Sequence, residues 1–348
     1  MRISLVNAQM IHYGLCKRKP LIIMNTTTTH LINNRELTTF QGLKQELELQ
    51  AGKNYLFNLS HLGVLEVHGD KAIEFLQGQL TCDVQSISDI QMIQGAQCNL
   101  QGSILALMDV INWRGVKLIL PNDLMEASIK SLNKTAMLSR VSLKQNNTLK
   151  ILGFFLQDTN NLVPDTQFFP KALYALTYGS QYCCYHLGDG FYVFLAESEF
   201  AEKVLNYFSE NNQLLGSLTW HTLRLKIQQI SIYPESRGLF LPHRLDLHQT
   251  PYLSFNKGCY KGQEIIARMH YKATLKHQLS IYSIKTSEKI YSGQKLLNEL
   301  NGNEVGELVD LSILDDGHYL VAVSLLKSTE PIVLFDGHKE VCYLTPFQ

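Results

Sequence analysis

Twice along this chain an apolar run passes through a short polar turn into an amphipathic helix, and no other feature limits the fold as much. At the first site, residues 104–111 and 116–120 read as buried strands joined by an Arg114-Gly115 hairpin turn, and Pro121-Asn122 opens a helix to about residue 133. At the second, residues 191–195 form a strand and Ser198 is placed to cap a helix carrying Ala201, Val204, Leu205 and Phe208 on one side. A strand at 63–68 precedes the first unit. Gly69 ends it, and Asp70 is placed to cap a helix with Ile73, Leu76 and Leu80 on one face. The pattern predicts an α+β class with two related halves, each a small sheet covered by helices.

The remaining chain divides around these units. Polar, uneven sequence fills 1–50 and reads as a partly disordered N-terminal extension, with Met24 as an alternative start. The first α+β half is placed at 51–150 and the second at 151–276. A helix is predicted from Ser217 to about residue 229, followed by a long aperiodic stretch, 233–270, whose aromatic content argues for an ordered, functional loop. From 277 to 348, short alternating apolar runs punctuated by glycines have the rhythm of a C-terminal β-barrel.

Composition removes several function classes. A 45% hydrophobic, 18% charged chain has a globular balance. Its 31 basic and 31 acidic residues cancel, so it lacks the cationic surplus of a nucleic-acid binder, and no direct nucleic acid is expected as a partner. No apolar run approaches a membrane span, so no membrane partner is expected. Seven irregularly spaced cysteines without a CxxC pair fit reduced thiols in the cytoplasm, not a disulfide framework or a metal knuckle.

The densest chemistry lies in Lys257-Gly258-Cys259-Tyr260-Lys261-Gly262-Gln263-Glu264. Its glycines permit tight turning, and Cys259 between two lysines reads as a reactive thiol, since nearby ammonium groups favour the thiolate. The plainer alternative is a cysteine that packs as a small hydrophobe.

This segment resembles the signature of the YgfZ-type folate-binding proteins, a sister group of the glycine-cleavage T-protein. Residues 75–84 (Phe-Leu-Gln-Gly-Gln-Leu-Thr-Cys-Asp-Val) and 98–102 (Cys-Asn-Leu-Gln-Gly) resemble two further blocks of that family, and the likeness spans about 53–348. The resemblance implies a three-part ring, two related α+β domains and a C-terminal β-barrel, around a channel holding tetrahydrofolate or a derivative. It also implies a role in making or maintaining iron–sulfur clusters in specific enzymes, tRNA-modifying ones included, with client or assembly proteins as partners. The alternative it leaves open is a folate-dependent aminomethyltransferase.

Candidate folate contacts follow from the ligand's chemistry: a flat pterin, an aromatic ring and an anionic tail call for apolar walls, a few fixed polar groups and a cation. Phe240, Tyr252, Tyr260 and Tyr271 are candidate walls; Gln79, Lys257, Gln263 and Glu264 are candidate polar contacts; Arg268 is a candidate carboxylate grip. Each has a plainer reading, the aromatics as core and Glu264–Arg268 as a helical ion pair.

Three positions depart from the family pattern. Ala106 and Leu107 stand where T-proteins carry an acidic pair, and Asp109 replaces it only with a change of register. Lys226 stands where many relatives have a glutamate that reads the pterin, and lysine cannot accept those bonds; Glu235 is a conceivable substitute. His277 stands where relatives usually show arginine.

Overall fold

The computed structural model describes residues 27–164, 169–327, 329 and 331–347. Three sheets organise them. The first is antiparallel and has five strands in the order Ile93–Cys98, Ile104–Asn112, Val116–Pro121, Leu62–His68 and Ser142–Asn146. The 104–112 and 116–121 strands turn through the three-residue loop Trp113–Gly115, in which Arg114 and Gly115 take positive φ (51° and 95°). Helix Asn122–Ala136 then folds back with Leu124, Met125 and Leu132 buried.

The second sheet has six strands, in the order Leu176–Tyr178, Tyr182–Gly188, Phe191–Ala196, Lys150–Phe155, Tyr55–Asn58 and Leu214–Leu215. Tyr55–Asn58 comes from the first half of the chain, so the two α+β units interlock. Helix Ser198–Glu210 covers one face through Ala201, Val204 and Phe208. Neither helix-capping expectation holds. Lys71 and Glu197 occupy the N-cap positions of the 72–77 and 198–210 helices, and neither makes a side-chain cap bond. The Ser198 hydroxyl donates to Thr148 O instead.

The third sheet, seven strands within 277–346, runs from Val341–Tyr343 at one edge to Thr345–Pro346 at the other. Only Leu344 separates these two edge strands along the chain, so the sheet must curl until its edges meet, a barrel-like form.

Residues 28–47 lie in the segment read as a partly disordered extension; they form a hairpin, Thr28–Ile32 with Arg35–Thr39, and helix Leu43–Leu47. A few contacts hold this polar sequence. Ile32 and Leu37 enter the core of the third sheet. Arg35 makes a bidentate pair with Asp123 at 2.8 and 2.9 Å and donates to Ile232 O. The buried Glu46 carboxylate accepts from Thr219 Oγ1 and Gly216 N. The basic run at 17–19 and Met24 lie outside the described residues.

Helix Ser217–Lys226 sits where the parts converge. Leu218 belongs to the core of the third sheet, Trp220 to the core between the first two, and Leu225 to the core of the first. Being buried on nearly every side, it has no solvent face on which to keep its polar residues. Thr219, His221, Thr222 and Arg224 are all inside.

Candidate functional site

The three sequence blocks meet in space. Lys257 Nζ donates to the carbonyls of Gln77, Leu80 and Cys82 at 2.7, 2.6 and 2.7 Å. The Lys261 amide bonds Gly78 O, and the Ser254 amide bonds Thr81 O. Gly262, at φ 84°, opens helix Gln263–Lys272, and a Cβ there would lie 2.5 Å from Asn99 O and 3.0 Å from the Gly102 Cα. Close backbone approach explains both glycines.

The signature is therefore largely a clasp. The Lys257 ammonium is committed to three carbonyls and lies 5.0 Å over the Tyr260 ring. Burial draws its amine down to about 8, while the converging carbonyls oppose that loss of charge. Lys261 is half-buried; burial and then the charges of Lys134 and Arg237 lower its amine. Gln263 Oε1 accepts from the Tyr260 amide. Tyr260 and Phe240 are core residues.

Cys259 stays exposed on this clasp. The other described cysteines, at 82, 98, 183, 184 and 342, are buried. Burial pushes the Cys82, Cys98 and Cys183 thiols up to about 12 and also raises Cys184 and Cys342. Glu264, Arg268 and Tyr271 share the exposed face of helix Gln263–Lys272, with Tyr271 67% accessible. Arg268 edges a surface hollow with Ile265, Met269 and Lys272.

A partly open cavity lies elsewhere, between the first two sheets and against helix Ser217–Lys226. Its volume is about 120 Å³, and it adjoins a second of about 250 Å³ through the shared walls Leu107, Gln229, Ile230 and Tyr252. Of the residues expected to contact a cofactor, Tyr252 lines both; Gln79, Phe240, Lys257, Tyr260, Gln263, Glu264, Arg268 and Tyr271 line neither.

The cavity has charged walls that the sequence reading did not assign to it. Asp109 lies two residues beyond Leu107 and so on the same face of its strand, without a change of register. Gln94 Nε2 and Tyr185 Oη donate to its two oxygens at 3.0 and 2.9 Å. Burial raises this carboxyl, opposed by those bonds and by the Arg224 charge. Arg224, 7% exposed, spends Nη2 on Gln229 Oε1 at 3.2 Å, and its buried Nη1 has no partner among the described residues. Burial lowers its guanidinium.

His61 and His221 also line the cavity. His221 Nε2 lies 2.9 Å from Leu311 O and 3.3 Å from Asp310, which also accepts from Tyr233 Oη at 2.5 Å. Burial works against the charged imidazole, but Asp310 outweighs it and holds His221 above its usual range. Burial and the charges of Arg35 and His221 push His61 well down, and its buried Nδ1 lacks a partner.

The departures resolve in part. Lys226 lines neither cavity; its ammonium lies 5.3 Å over the Phe347 ring. Glu235 is exposed and accepts from Asn34 Nδ2. Ala106 is core, and Leu107 is an apolar wall.

No family model matches the chain. It is 26% identical to the tRNA-modifying protein YgfZ of Colwellia psychrerythraea, over 79% of this chain and 86% of that one. It is 27% identical to the protein of the same name from Klebsiella pneumoniae, over 80% and 88%. In structure it matches the glycine cleavage system aminomethyltransferase T of Bartonella henselae at a TM-score of 0.69 and 15% identity, covering 92% of this chain and 93% of that one. With the signature at 257–264 and its two companion blocks packed into one clasp, the chain is similar to the YgfZ proteins and shares the fold of the glycine-cleavage T-protein.

Proposed function

We propose that this chain is a tetrahydrofolate-binding accessory protein that supports biogenesis or maintenance of iron–sulfur clusters in specific enzymes, tRNA-modifying ones among them, with Cys259 as its reactive thiol. The observation that carries the reading is the cavity between the first two sheets, walled by Trp220, Leu107 and Tyr252 and holding a guanidinium N–H without a partner among the described residues. Buried polar groups are ordinarily satisfied. An orphan N–H in a cavity that joins aromatic and polar walls fits a flat polar ring such as a pterin.

Cys259 supplies the accessible sulfur, on the glycine-flanked face of the clasp, while the other described thiols are buried. It offers a single ligand, so a cluster handled here is shared with a client protein. The unpaired thiols suit work in the cytoplasm. The name of the bacterial relatives supports a link to tRNA modification, and the balanced charge favours acting on the modifying enzymes over binding the RNA.

The test is calorimetric binding of tetrahydrofolate, with complementation of a deletion strain by Cys259→Ala and assay of an iron–sulfur enzyme. Binding and failed rescue are expected; absent binding overturns the folate role, and full rescue overturns the thiol role. Asp109 sustains a second reading, aminomethyl transfer, because it places a carboxylate in the cavity. Incubation with aminomethyl-lipoyl carrier and tetrahydrofolate tests it; no methylene-tetrahydrofolate refutes it.

A further inference from the structure

We propose that Asp109 and Arg224 together read the pyrimidine edge of a 2-amino-4-oxo heterocycle, the face that pterins and guanine share. This deepens the folate reading and rests on it for the choice of a pterin. A carboxylate has about four lone-pair sites. Asp109 Oδ1 uses one on Gln94 Nε2 and Oδ2 uses one on Tyr185 Oη. Each oxygen keeps acceptor capacity, and the residue lines the cavity. Arg224 lines the same cavity with Nη1 unpartnered among the described residues, its Nη2 being held by Gln229. The wall thus presents two acceptors and a donor.

A 2-amino-4-oxopyrimidine edge presents the complement: the 2-amino group and N3–H as donors, then O4 as acceptor. A dioxo edge sets a carbonyl oxygen against the carboxylate. A phosphate or carboxylate ligand satisfies Arg224 but is repelled by Asp109. Lys226, at the position of the glutamate that serves this purpose in the resembled family, lines neither cavity and lies against Phe347. Asp109 restores a carboxylate from a different strand.

The test compares ligands that differ at this edge. Calorimetry on the wild-type chain uses tetrahydrofolate, 6-methylpterin, guanosine and 6-methyllumazine, which carries a 2-oxo group in place of the 2-amino group. 6-Methylpterin is expected to bind about 10- to 100-fold more tightly than 6-methyllumazine, the discrimination of one good bidentate contact. In Asp109→Asn, Gln94 holds the amide oxygen and Tyr185 can accept from its NH2, so an acceptor and a donor face the cavity and the preference is expected to invert. Arg224→Lys is expected to weaken both ring systems, since both carry O4, and to leave their ratio unchanged.

A wild-type ratio near one overturns the proposal without any variant. Tetrahydrofolate binding with such a ratio leaves the folate role standing and removes the edge assignment. Guanosine binding in preference to the pterin upholds the edge and overturns the folate role. Binding of none of these ligands overturns both.

Discussion

His243 is neutral in the fold because burial leaves it no alternative, and that makes acid a specific probe of this region. It sits in the turn Pro242–Leu245 at 1% exposure, with neither ring nitrogen hydrogen-bonded among the described residues. The His248 ring stacks 5.0 Å away, and His270 and Phe255 lie at 6.1 and 6.3 Å. Burial first, then the charges of His248 and His270, hold its imidazole at about 4 against 6.5 in the open chain. The folded state thus binds fewer protons than the unfolded state between these values, so stability is retained above the unfolded value and lost as pH falls towards the folded one. The shift is worth about 3 kcal/mol in full, of which about 2 kcal/mol is lost between pH 7 and pH 5. Urea unfolding at these two pH values, on wild type and His243→Phe, isolates this share. The phenyl ring keeps the stacking and removes the titration. The wild type is expected to lose about 2 kcal/mol more than the variant over the interval. Equal losses would refute the reasoning, since they require an imidazole already solvated or paired.

Lys257→Met keeps the aliphatic packing and strands the carbonyls of Gln77, Leu80 and Cys82, so urea unfolding should show a loss of about 3–5 kcal/mol, at about 1–3 for each fully buried group. Lys257→Arg should not restore it, because a planar guanidinium does not satisfy three acceptors converging on one nitrogen. Gly262→Ala combines a positive φ with a Cβ 2.5 Å from Asn99 O, and should lower stability by about 2 kcal/mol or more. Native thiol labelling followed by peptide mapping should modify Cys259 within minutes and leave 82, 98, 183, 184 and 342 protected until unfolding; early labelling of Cys82 or Cys98 would mean that the clasp opens.

What sequence reveals here follows the range of the interaction. The Arg114-Gly115 turn is legible because the conformation of a short hairpin loop is set by its own residues, and both take positive φ. Helix Gln263–Lys272 escapes a periodicity search because only Ile266 is buried, which leaves no apolar stripe to count. Lys257 shows the limit more sharply. Its place beside Cys259 suggests an activating charge, yet its ammonium is taken by carbonyls some 180 residues earlier in the chain. Adjacency in sequence supplied the wrong partner, and only the fold could supply the right one.

The cavity gives the converse case. Strand Ile104–Asn112 is apolar but for Asp109 and its terminal Asn112, and helix Ser217–Lys226 is buried yet holds His221 and Arg224. Charges in such settings are costly to desolvate, and a fold retains them where partners or a ligand offset the cost. Asp310 provides that partner for His221, and Gln94 and Tyr185 provide it for Asp109. Arg224 is only half provided for: Gln229 holds Nη2 and the Phe191 ring lies 5.2 Å from the guanidinium, while Nη1 has no partner among the described residues. The signal for the site was thus present as isolated charge on elements that burial should have kept apolar, while the glycine-rich motif that draws the eye builds the clasp beside it. The clasp and the cavity are separate structures here. A substitution in the clasp is therefore expected to act first on stability, and one at Asp109 or Arg224 on ligand choice.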